Sequence, residues 1–167
     1  MKRIIALLIL ISIAVLIGCS DGKTDSSKNL KILIDPAEQT IVQNQVAQFS
    51  LKIENVEDLF GVAVEISFDS TLVEIPENCL TSGEFWGNSV TFTQAISESG
   101  RLSMICSLFN GDQAINGSGE LMKFSLRGIA NGSSPITIYR LQLYKENGES
   151  VSGLYDIDIE NGLLKIE

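Results

Sequence analysis

Five Asn-Gly pairs punctuate the second half of this chain: Asn110-Gly111, Asn116-Gly117, Asn131-Gly132, Asn147-Gly148 and Asn161-Gly162. Both residues tolerate positive φ, which tight turns between antiparallel strands require. Between and before these pairs, apolar residues alternate with polar ones. In residues 61–68 the apolar set Val62, Val64, Ile66 and Phe68 shares one parity. The same reading gives nine strands, over 31–34, 46–53, 61–68, 72–75, 90–97, 101–109, 120–129, 136–144 and 155–166. After the first eighteen residues no ten-residue window carries a helical stripe. Short strands at regular spacing, bounded by turn residues, predict an all-β sandwich or barrel. Pro36, Pro76 and Pro135 fall at predicted strand ends, where a missing N–H is tolerated. Ile136 and Ile138 have one parity, Leu141 and Leu143 the other, which predicts a β-bulge at Tyr139-Arg140.

The side-chain inventory narrows the chemistry. The 167 residues contain no histidine, which removes Ser-His and Cys-His nucleophiles, imidazole bases and His metal ligands. A formal charge of -9 argues against nucleic acid, which needs clustered Lys and Arg. Paired carboxylates can hydrolyse glycosides. With 21 acidic residues such pairs arise by chance, and a sandwich without a cleft is a poor glycosidase. No catalytic residue, metal site or cofactor is assigned.

The amino-terminal segment is read apart from the fold. Lys2 and Arg3 precede an apolar run over 4–17, shorter than the ~20 residues that span a bilayer comfortably. It ends in Leu16-Ile17-Gly18-Cys19, which resembles the lipobox of bacterial lipoproteins. Small Gly18 admits a peptidase, and the Cys19 thiol accepts a diacylglyceryl group; a plain transmembrane anchor is the alternative. Residues 1–18 are thus expected to be a lipoprotein signal peptide and 19–29 a lipid-anchored flexible tether. Residues 30–167 are expected to form the folded domain, exported and facing the cell surface or periplasm. Cleavage removes Lys2 and Arg3 and takes the formal charge from -9 to -11, so the membrane is reached only through the lipid.

Several ordered stretches then resemble the cohesin domain. They are Ile53-Glu54-Asn55-Val56, Leu59-Phe60-Gly61 and the run Ile66-Ser67-Phe68-Asp69-Ser70-Thr71-Leu72-Val73-Glu74-Ile75. Ser99-Gly100-Arg101-Leu102-Ser103-Met104 is similar to its hairpin between strands five and six. Gly117-Ser118-Gly119-Glu120-Leu121-Met122-Lys123-Phe124 is similar to the entry to its seventh strand, and Leu141-x-Leu143 with Asn147-Gly148-Glu149 to the end of its eighth. The resemblance covers residues 31–166. It implies a nine-stranded jelly-roll β-sandwich that docks a dockerin-type protein module, with calcium carried by that partner, in systems that bind or degrade polysaccharide. It further implies a docking face on strands three, five, six and eight. Strand parity nominates Gly61, Ala63, Glu65 and Ser67 on the third strand, Thr93 and Ala95 on the fifth, and Ser103, Ile105 and Ser107 on the sixth. Many cellulosomal cohesins carry Asn and Asp where this chain has Gly61 and Ala63, a departure from the pattern.

Other residues admit two readings. Trp86, the only tryptophan, is a candidate carbohydrate contact or a loop anchor covering the sandwich end. Direct carbohydrate binding and a structural adhesion or spacer role are the alternative functions. Cys79 and Cys106 are either free packing residues or a disulfide, which export permits. Asp156-Ile157-Asp158-Ile159-Glu160 reads as an amphipathic last strand rather than a calcium site, which needs six to eight converging oxygens.

Overall fold

The computed structural model describes residues 29–87, 90–97, 100–151 and 157–167, and for residues 92–97 the backbone alone. The signal peptide, Cys19 and the tether up to residue 28 lie outside these residues. No helix among them is long and apolar enough to cross a membrane.

Among the described residues twelve strands form two facing sheets. They are β1 (Lys31–Asp35), β2 (Glu38–Ile41), β3 (Val46–Leu59), β4 (Gly61–Ser67), β5 (Val73–Glu74) and β6 (Leu80–Ser82). β7 (Thr91–Ser97), β8 (Arg101–Ser107), β9 (Ile115–Gly128), β10 (Gly132–Tyr144), β11 (Asp158–Glu160) and β12 (Gly162–Ile166) follow. One sheet runs β11-β1-β3-β9-β5, with β6 also on β9; the other runs β2-β12-β10-β4-β8-β7.

The three strands beyond nine have local causes. β2 continues past Pro36, which has no N–H to extend the β1 ladder. β6 is a short pairing on β9 in what read as a loop. The last predicted strand divides at Asn161: β11 pairs with β1 in one sheet and β12 with β2 in the other, both parallel. The two ends of the domain therefore cross between sheets side by side. Gly162 makes this possible, since a Cβ there would lie 2.8 Å from Ile34 Cγ2.

Pro135 lies inside β10, not at its end. It is tolerated because β10 has one partner at that point: residues 132–136 pair only with β12, and the β4 ladder starts at Thr137. β3 likewise runs to Leu59, past the expected end at 53. It does so through register shifts against β9, with Asn55 and Asp58 at φ 59 and 56. Each shift changes which parity faces inward, so Ile53, Val56 and Leu59 are all buried.

The inner faces hold the core. Phe49 and Phe124, paired across β3 and β9, stack with centroids 5.6 Å apart. Val62, Val64 and Ile66 of β4 lie beside Cys106, Met104 and Leu102 of β8 on the inner face of the same sheet, all buried. Cys79 and Cys106 are free and buried, so the disulfide reading is set aside. Burial pushes the Cys106 thiol up to about 12, because a thiolate there would lose its hydration. The thiol is neutral and unreactive at ordinary pH.

Candidate functional site

The outer surface of β10, β4 and β8 is one continuous face, and register fixes its rows. Gln142, Ala63 and Ile105 lie in one row, and Arg140, Glu65 and Ser103 in the next. Ser67 and Arg101 follow toward the lower end, and Tyr144, Gly61 and Ser107 form the upper end. Successive residues of a strand alternate faces, so this surface is the reverse of the buried Val62-Val64-Ile66 and Leu102-Met104-Cys106 rows.

Most nominated residues take the expected place. Ile105 is 52% exposed between Met104 and Cys106, both at 0%. Ala63, Glu65, Ser67, Ser103 and Ser107 are half-buried on the same face. Gly61 needs correction. It is buried, because with no side chain it lies below its neighbours, and a Cβ there would sit 3.3 Å from the Cys106 carbonyl oxygen. Thr93 pairs with Ile105 and Ala95 with Ser103 along the backbone of β7; their side chains lie outside the described residues.

Small residues at the centre and long ones around them make a depression of about 200 Å³. Ala63, Glu65 and Ser103 are in it, and Ile105, Arg140 and Gln142 rim it. The Tyr144 hydroxyl donates to Gln142 Oε1 at 2.8 Å. Arg140 Nη1 donates to Glu65 Oε1 at 3.0 Å, while Arg101 Nη1 lies 4.0 Å from Glu65 Oε2. Arg101 also sits over the Tyr139 ring, 4.1 Å from its centroid.

Arg101, Tyr139, Arg140 and Gln142 were not among the nominated residues. For the three on β10 the signal was that strand's parity change; Arg101 shares the outward parity of Ser103, Ile105 and Ser107 on β8. The register against β4 shifts between Ile138 and Arg140, as that change predicts. The extra residue turns both Tyr139 and Arg140 outward on one strand, where alternation would show only one of them.

The structure decides between the two readings of Trp86 and corrects that of the acidic run. Trp86, in a 3-10 turn over Glu84–Trp86, is 2% exposed, and its indole N–H donates to the Leu121 carbonyl at 2.8 Å. A ring so covered has no face to stack on a sugar; it is the loop anchor. In the acidic run, Asp158, Ile159 and Glu160 are all exposed, because β11 is an edge strand that pairs with β1 alone, and Asp156 lies outside the described residues. Among the described residues no group of three or more His, Cys, Asp or Glu is placed to hold a metal.

No family model and no curated protein matches the sequence. Solved structures match the fold. A non-cellulosomal cohesin from Archaeoglobus fulgidus superposes with a TM-score of 0.65 at 19% identity, covering 83% of this chain and 91% of that one. The third cohesin of ScaC from Acetivibrio cellulolyticus, solved with the ScaB dockerin, gives 0.67 at 15%, over 82% and 98%. The Coh-OlpC-Doc435 complex of Clostridium thermocellum, a type I cohesin–dockerin complex, gives 0.66 at 15%, over 83% and 94%. The chain has the cohesin fold, a jelly-roll β-sandwich.

Proposed function

We propose that this chain is a non-catalytic docking module for a dockerin-type protein, held at a bacterial membrane by lipid on Cys19. The observation that carries the reading is the open β10-β4-β8 face, present on a fold whose solved examples include complexes with dockerins. An apolar Ile105 among small polar residues suits close approach of another protein surface. Its central depression, at about 200 Å³, is smaller than the ~300–1,000 Å³ of small-molecule sites. The calcium belongs to the partner, so the role in polysaccharide binding or degradation is carried by whatever the partner is fused to.

The test is capture by the detergent-extracted full chain from a panel of dockerin-bearing proteins. Calcium-dependent capture, lost on chelation, is the expected result. Absence of any calcium-dependent partner overturns the reading. The anchor is tested separately by feeding cells a palmitate analogue. Label is expected on the wild-type chain and absent from Cys19→Ala, while label on both variants or neither refutes the lipobox assignment.

A further inference from the structure

The ion pairs of the domain are unevenly shared. Lys31, Lys52, Lys123, Arg127, Lys145 and Lys165 each pair with a carboxylate of their own, respectively Glu160, Asp35, Glu120, Glu74, Asp58 and Glu38. Arg101 and Arg140 share Glu65. Among the described residues this is the one place where two cations meet a single acid. The docking face therefore carries a net positive charge on a domain that is otherwise strongly acidic. Arg140 keeps 62% of its side chain exposed and Arg101 43%, so neither is spent on the interior.

The shape fits the charge. Arg140 stands at the rim of the depression over Ala63 and Ser103, with Ile105 on the other side. Only one guanidinium N–H of Arg140 is committed to Glu65, out of the five such a group presents. The bulge that turns Arg140 outward also brings Tyr139 against Arg101, which holds the second guanidinium beside the first.

We propose that this depression receives an aspartate or glutamate side chain of the partner, paired to Arg140 and neighboured by an apolar residue that covers Ile105. The occupant is thus a protein segment with a carboxylate beside an apolar side chain. Its charge completes the Arg101-Glu65-Arg140 cluster, and the same field orients an acidic partner during approach. The inference rests on the reading of this face as a docking surface and adds the chemistry of what it accepts.

The probe is a displayed library of random short peptides, panned on the full chain in detergent and counter-selected on Ile105→Asp so that only binders of this face remain. Such peptides carry no calcium loops, so the result does not depend on a dockerin being found. Enrichment of Asp or Glu next to Leu, Ile or Phe is expected. The selected clones should lose about 10-fold or more in affinity on Arg140→Gln and recover part of it on Arg140→Lys. A selected set without acidic enrichment, or one that binds Arg140→Gln as tightly as wild type, overturns the proposal. Undiminished capture of a dockerin by Arg140→Gln overturns it too while leaving the docking function standing. Failure to capture any dockerin, with acidic peptides still selected, overturns the dockerin reading alone. Both arginines are exposed, so unchanged thermal unfolding of each variant is the control for folding.

Discussion

Ile105→Asp is expected to weaken capture of a dockerin-type partner by about 30-fold or more, with the thermal midpoint lowered by a few degrees at most. An apolar residue at the centre of a docking face is where truncation typically costs ~2 kcal/mol or more of binding. Aspartate does more than truncate. It sets a hydrated carboxylate where the partner's apolar group would sit, and it neutralises the positive excess left by Arg101, Glu65 and Arg140. The fold has no reason to respond, because the side chain is 52% exposed and its core neighbours Met104 and Cys106 are untouched. The cost to the strand is a β-propensity difference of roughly 1 kcal/mol at most. Affinity is read by titration calorimetry and folding by the thermal melt. Unfolding of the variant would show that Ile105 is part of the core, and wild-type affinity would show that β8 is outside the interface. Ile105→Ala separates the two contributions, losing packing without adding charge.

Trp86→Ala should cost about 3–5 kcal/mol of stability, the usual range for emptying a buried aromatic site. For a domain of this size that is a fall of roughly 10–17 °C in the unfolding midpoint. The indole lies at 2% exposure, edge-on to Phe85 and bonded to Leu121 of β9. Its removal leaves the Leu121 carbonyl with the bond it still accepts from the Gly83 N–H, so most of the loss is packing. Trp86→Phe, which keeps a ring but not the donor, should fall between, near ~1 kcal/mol for the hydrogen bond plus a partial cavity. Mobility in glycan-containing gels should be the same for wild type and both variants at temperatures where all are folded. A glycan that retards only the wild type would restore Trp86 as a sugar contact, against its burial.

These two residues show what was legible in the sequence. Ile105 was placed correctly because exposure along a strand follows a period of two, and Leu102, Met104 and Cys106 of the same strand fix the phase. The bulge in β10 was legible for the same reason, as a break in that period between Ile138 and Leu141. Trp86 stood outside any alternating run, so nothing local told whether its ring met solvent or the sandwich end. Gly61 had the right parity and still lies buried, because exposure there depends on the height of its neighbours on β8 and β10.

Alternation also could not show which strands lie side by side. Glu65 belongs to β4, Arg101 to β8 and Arg140 to β10, and nothing near any of them in the chain predicts that one carboxylate serves both arginines. The pairing exists because β4 lies between β8 and β10 in a particular register. The division at Asn161, which sends β11 and β12 to different sheets, is of the same kind. Turn residues, the β class and the inward and outward sides of each strand are set by conformational preferences within a few residues, and the sequence determined them. Sheet order, register and the sharing of charge across three strands are set by packing between segments tens of residues apart, and only the tertiary structure decided them.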